Sequence, residues 1–193
     1  MSQPEIVAIA GPNGAGKSTF YATFLAQAGL VFVNADVIAL ESGLDPYQAA
    51  AVADVVRREL ITLRASFVFE TVFSDPEGEK VRFLQEAAQQ GYRLTLCFIG
   101  LGHADLSQNR VALRVSQGGH DVPDEKLLNR YPRSLANLAR AIRTLPEVRV
   151  YDNSDLRHPY RHLGTFQTGQ QSFLAEDLPD WFRGVLRKTA PED

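Results

Sequence analysis

The sequence predicts an α/β fold with a central, mostly parallel sheet and helices on both faces. Three observations carry that prediction. Short apolar runs alternate with longer segments of helical spacing, and the apolar runs stop at glycine or polar residues. The first run leads directly into Gly11-x-x-x-x-Gly16-Lys17-Ser18, a loop that belongs between a strand and a helix.

Taken in order, EIVAIA (5–10) is short, apolar and stops at Gly11, which reads as a buried strand. KSTFYATFLAQAG, from Lys17, reads as a helix closed by Gly29. LVFVNAD (30–36) is a second strand with a polar end. Pro46 suits the first turn of a helix running through PYQAAAVADVVRRELITLRA. FVFE (67–70) is a third strand, EGEKVRFLQEAAQQG a helix stopped by Gly91, and RLTLCFIG (93–100) a fourth strand. Helical segments at about 104–117 and 123–144 follow, with Pro132 expected to break or kink the second. VRVYDN (148–153) is a fifth strand; beyond Leu156, RHLGTFQ and QQSFLAE read as a hairpin and LPDWFRGVLRK as a short helix.

These elements specify a P-loop NTPase three-layer sandwich over a five-stranded sheet, one domain spanning residues 1–193. Ligands of such sheets bind at the carboxyl ends of the strands. That rule selects Gly11 to Ser18, Asn34 to Asp36, Glu70 with Thr71, and the turn after Gly100.

The chain has 193 residues, 45% of them apolar and 22% charged, enough for one core. Its single cysteine, Cys97, lies in an apolar run and reads as a buried structural thiol. MSQPEIV lacks the features of a signal peptide, and no apolar run approaches the roughly 18 residues that span a bilayer. A cytoplasmic location without membrane contact is expected. The net charge of −3 offers no general attraction to nucleic acid.

The charge is unevenly spread. Residues 110–143 hold Arg110, Arg114, Lys126, Arg130, Arg133, Arg140 and Arg143 against Asp121, Asp124 and Glu125, a net of +4 that leaves −7 elsewhere. Arginine concentrated in an acidic protein points to phosphate handling, and the segment at about 104–144 reads as lid-like. Arg140 and Arg143 fit a solvated helix face.

In the loop, Gly11, Pro12, Asn13, Gly14, Ala15 and Gly16 let backbone N–H groups curl around phosphates, with the helix from Lys17, Ser18 and Thr19 adding its positive end. Lys17 reaches the outer phosphates of ATP and Ser18 ligates Mg²⁺. The wording GPNGAGKST also occurs in transporter ATPases. Those need a Ser-Gly-Gly-Gln signature and a later strand ending in two acidic residues. VSQGGHDVP (115–123) has the wrong order, and the chain twenty residues on is LANLARAIRTL, with no acidic pair. A kinase needs instead a carboxylate near the acceptor hydroxyl and cations over the transferring group. Asp36, at a strand end beside the loop, suits either that task or an N-cap for VIALES. Glu70 and Thr71 suit substrate or magnesium contact. Arg110 and Arg114 share a helix face and can grip phosphate oxygens. Histidines 103, 158 and 162 have no metal-ligand spacing.

GPNGAGKST, NAD (34–36), FVFET (67–71), RVALRVSQGGHDVP (110–123), RYPRS (130–134) and YDNS (151–154) together resemble zeta-toxin-like P-loop kinases, particularly short bacterial members, over roughly residues 5–155. The resemblance implies ATP-dependent phosphorylation of a UDP-activated amino sugar such as UDP-N-acetylglucosamine. It implies Asp36 as catalytic base, Lys17 and Ser18 as nucleotide and metal contacts, and Glu70 as a substrate contact. Arg110 or Arg114 would act on the phosphates, and Asn34, Thr71, His120, Arg130 and Arg133 would line the acceptor site. His120 falls where larger members carry a second arginine. An antitoxin protein is the partner such a family implies. Another hydroxylated metabolite, an antibiotic or a nucleotide would serve as alternative acceptor, and a nucleotide-binding regulatory module is the non-enzymatic alternative. The segment after the fifth strand, around Asn153, is the candidate adenine contact, and residues from about 156 form a C-terminal extension.

Overall fold

The computed structural model describes residues 3–116 and 124–189. One seven-stranded sheet runs through it in the order β2-β3-β1-β4-β5-β6-β7. The strands are β1 (Glu5–Ala10), β2 (Val31–Val33), β3 (Phe67–Thr71), β4 (Arg93–Gly100), β5 (Val148–Asp152), β6 (Arg161–Gln167) and β7 (Gln170–Leu174). The first five are parallel; β6 and β7 pair antiparallel along the β5 edge. The expected five-strand sheet is thus extended to seven. Its predicted hairpin is part of the sheet, because β5 still presents a free ladder edge that an antiparallel strand satisfies.

Alternation along the central strands separates two cores. Ile6, Ala8, Phe67, Phe69, Leu96 and Phe98 face α3 (Pro46–Thr62), α4 (Glu79–Gln89), α6 (Asp124–Thr144) and α7 (Asp180–Arg187). Val7, Ile9, Val68, Cys97 and Ile99 face the opposite layer, where Phe20 and Leu106 pack. That layer holds α1 (Lys17–Phe20) and α5 (Ala104–Ser116). Burial pushes the Cys97 thiol up to about 12, as the structural reading requires.

Three local expectations change. The helix from Lys17 is α-helical only to Phe20, then continues as a π-helical turn (Tyr21–Leu25) and a 3₁₀ turn (Ala26–Ala28) to Gly29, at φ 65. β2 ends at Val33, and Asn34, not Asp36, caps α2 (Ala35–Ser42): its side-chain oxygen accepts from the Asp36 and Val37 amides. Pro132 lies within an unbroken α6. There Ser134 Oγ donates to the Arg130 and Val72 carbonyls, tying the helix to the end of β3. α3 opens with a capping box of Asp45 and Gln48 around Pro46.

No helix among the described residues is long and apolar enough to cross a membrane.

Candidate active site

β1 and β3 lie side by side, with Ile9 opposite Glu70 and Ala10 opposite Thr71, so both strands deliver their polar ends to one place. The loop between β1 and α1 bends through Gly11, Gly14 and Gly16 at φ 144, 71 and 86. These are backbone conformations that side chains other than hydrogen resist. At Gly16 a Cβ would also stand 2.7 Å from Asn153 Nδ2.

Lys17 is 6% exposed, and its Nζ donates to the Pro12 carbonyl at 3.1 Å. Glu70 meets the loop with both oxygens: Oε1 is 3.7 Å from Lys17 Nζ, and Oε2 accepts from Ser18 Oγ at 2.8 Å. Asn34 Nδ2 donates to the same Oε2 at 2.9 Å, so Asn34 caps α2 with one end of its amide and orients Glu70 with the other. Of the residues assigned to the acceptor, Glu70 is therefore placed at the nucleotide loop, with its edge on the cleft.

That cleft, about 340 Å³, opens beside Asn13, Gly14 and Lys17. Asn34, Asp36, Glu70 and Thr71 line it at the strand ends, and Lys80, Lys126 and Arg130 line it from the surrounding helices. Lys126 Nζ donates to Tyr47 Oη at 2.6 Å, joining the starts of α6 and α3 across the opening. That bond holds the Tyr47 phenol below its ordinary value. Within the same lining, Arg57 and Lys80 share the single Asp54 carboxylate, and burial draws Arg57 down to about 10. Tyr47, Arg57, Lys80 and Asp54 were not singled out by the sequence; only the Asp45-Pro46 helix start signalled that α3 begins there.

Arg133 is exposed and absent from the cleft lining, in contrast to its expected acceptor contact. On α6 the inward positions are Ser134 and Asn137, whose side chains bond the end of β3 and the following loop. Arg110 stands on the other side of the phosphate loop, its Cβ against Gly14 and its Nη2 donating to the Ser154 carbonyl at 3.3 Å. Burial draws its guanidinium below the ordinary value. Arg114 belongs to the last turn of α5, with its side chain outside the described residues, and His120 lies outside them altogether. Asn153, the candidate adenine contact, is buried, and its Nδ2 donates to the Ala15 carbonyl at 2.9 Å. Arg140 and Arg143, expected on a solvated face, each also donate to a backbone carbonyl, of Pro76 and Lys188.

The zeta toxin family model matches residues 46–162, more than half of the chain. The chain belongs to the zeta toxin family. The matched span holds Glu70, Arg110, Arg130 and Asn153, and the phosphate loop precedes it. A protein of Haemophilus influenzae without an assigned function is 26% identical over 137 residues, 67% of this chain and 94% of that protein. Among solved structures, the AvrRxo1-ORF1:AvrRxo1-ORF2 complex with sulphate matches at TM-score 0.61 and 16% identity. The match covers 98% of this chain and 65% of that one, so the chain spans about two thirds of its length. The PezAT toxin-antitoxin system of Streptococcus pneumoniae matches at TM-score 0.59 and 14% identity, over 97% of this chain and 86% of that one. A putative kinase from Chloroflexus aurantiacus matches at TM-score 0.55 and 18% identity, over 79% and 90%. The fold is that of a P-loop kinase, and family and loop together make the chain an ATP-dependent phosphotransferase.

Proposed function

We propose that the protein transfers the γ-phosphoryl group of ATP to a hydroxyl of a UDP-activated amino sugar, with UDP-N-acetylglucosamine as first candidate. The observation that carries this reading is the cleft itself. It is lined at once by Lys17 of the phosphate loop, by Asp36, and by Lys80, Lys126 and Arg130. A carboxylate there suits a hydroxyl, and cations in the same cleft suit an acceptor that brings phosphates of its own.

Asp36 takes the acceptor's proton as its oxygen bonds the γ-phosphorus, while the bond from phosphorus to the β,γ-bridging oxygen breaks and ADP leaves. Lys17 and Arg110 stabilise charge on the phosphates from opposite sides of the loop. Ser18 and Glu70 present a hydroxyl and a carboxylate oxygen 2.8 Å apart, a hard-oxygen pair that fits Mg²⁺. Among the described residues no group of three or more His, Cys, Asp or Glu is arranged to hold a metal. A cation with few protein ligands and several from phosphate or water agrees with that arrangement. When bound, Mg²⁺ would neutralise phosphate charge; Ser18 and Glu70 would hold it, and Asn34 would orient Glu70.

The test is incubation with ATP, Mg²⁺ and UDP-N-acetylglucosamine, followed by mass spectrometry of the sugar nucleotide. A phosphorylated product is expected from the wild type, and about a thousandfold less from Asp36→Ala. Product at an equal rate from Asp36→Ala removes the base; no product from the wild type removes this acceptor and passes the question to other hydroxylated metabolites.

The AvrRxo1-ORF1:ORF2 and PezAT structures are of proteins with a partner or an antitoxin. On that ground we propose a dedicated protein partner for this chain as well, to be sought by co-purification of the tagged protein from its native host.

A further inference from the structure

The backbone of the phosphate loop is held from outside by three side chains that lie beyond the loop's own motif. Ser107 Oγ, on α5, donates to the Asn13 carbonyl at 2.5 Å. Asn153 Nδ2, just after β5, donates to the Ala15 carbonyl at 2.9 Å. Tyr160 Oη, just before β6, donates to the Gly16 carbonyl at 2.9 Å, an oxygen that also accepts the Phe20 amide. A trans peptide is planar, and its C=O and N–H point in opposite directions. Fixing the carbonyls of residues 13, 15 and 16 therefore fixes the N–H groups of Gly14, Gly16 and Lys17. These amides belong to the concave side where phosphates bind.

The donors are themselves anchored. Ser107 and Asn153 are 1% and 4% exposed. Tyr160 is held at φ 55, a left-handed conformation uncommon for an aromatic residue, with its ring against Phe20 and Phe24. Asn153 continues into Ser154, whose hydroxyl donates to Asp152 Oδ1, which also accepts Trp181 Nε1 at 3.2 Å. Trp181 in turn lies over Gly100, where any Cβ would strike its ring.

We infer that Ser107, Asn153 and Tyr160 are positioning residues that aim the amides of Gly14, Gly16 and Lys17 at the nucleotide's phosphates, making the chain beyond β5 part of the nucleotide site. The inference rests on the reading of the loop as an ATP site. It differs from the sequence expectation that this segment contacts adenine. Burial raises the Tyr160 hydroxyl above its ordinary value, so it remains a donor at neutral pH.

Calorimetric titration with ATP and with tripolyphosphate, which has the phosphates but no adenosine, separates the possibilities. Ser107→Ala, Asn153→Ala and Tyr160→Phe should each weaken both ligands, by about tenfold, because a carbonyl that loses its side-chain donor leaves its peptide freer to rotate. Melting temperature in Tyr160→Phe, which keeps the ring packing, should stay near that of the wild type. That variant carries the test should Asn153→Ala fail to fold. Weakened ATP with unchanged tripolyphosphate means direct adenosine contact and overturns the inference, as do unchanged affinities for both. A wild type that binds neither ligand overturns the nucleotide reading itself.

Discussion

The two walls that meet at Lys17 are built on different principles. The nucleotide wall is backbone: three glycines at positive φ, with carbonyls held by side chains from α5 and the chain after β5. The acceptor wall is side chain, with Asp36, Lys80, Lys126 and Arg130 reaching into a cleft bordered by helices. Asp36 and Lys126 are exposed there, whereas Lys17 is 6% exposed. A backbone surface binds what every nucleoside triphosphate shares. A surface of exposed side chains can be altered without disturbing the sheet, and is where choice of acceptor can reside.

Substitutions on either side should keep their effects apart. The largest effect is expected from Lys17→Met, which keeps the volume and removes the charge. Turnover measured by ADP release should fall by about a thousandfold or more, with acceptor binding within a factor of two. Gly16→Ala comes next. A Cβ at φ 86, 2.7 Å from Asn153 Nδ2, should cost about 2 kcal/mol in denaturant unfolding and weaken ATP by about a hundredfold in calorimetry. The smallest effect belongs to Lys126→Ala. It removes the bond to Tyr47 and one cation, and should raise the acceptor KM about fivefold while leaving the KM for ATP unchanged. A change in ATP KM from Lys126→Ala, or in acceptor KM alone from Gly16→Ala, would break the division between walls.

Much of the nucleotide wall is legible in sequence because its requirements are local. Gly11, Gly14 and Gly16 answer a backbone need at fixed spacing, and the strand before them and helix after them have ordinary periodicities. β4 falls on residues 93–100 as expected, since a run buried on both faces has no competing reading. The acceptor wall is less legible. Asp36 and Asn34 are both able caps two residues apart, and composition does not say which one bonds the backbone. Arg130 and Arg133 look equivalent in a list, yet α6 turns one to the cleft and the other to solvent. The donors behind the loop obey no spacing rule, because each is a single polar residue at a distance set by the whole sheet. The hairpin's place in the sheet depends likewise on which edge remains unpaired after five strands.

The separation of those donors bears on how the protein comes into being during translation. Asn153 and Tyr160 lie 138 and 144 residues from the carbonyls they bind. At about 5–20 residues per second the loop leaves the ribosome on the order of ten seconds before its outer supports exist. Through that interval the emerging chain carries a complete GPNGAGKS motif whose Gly16 and Lys17 amides still lack the donors that aim them. ATP capture, on this view, switches on late in synthesis, when the sheet acquires its outer strands.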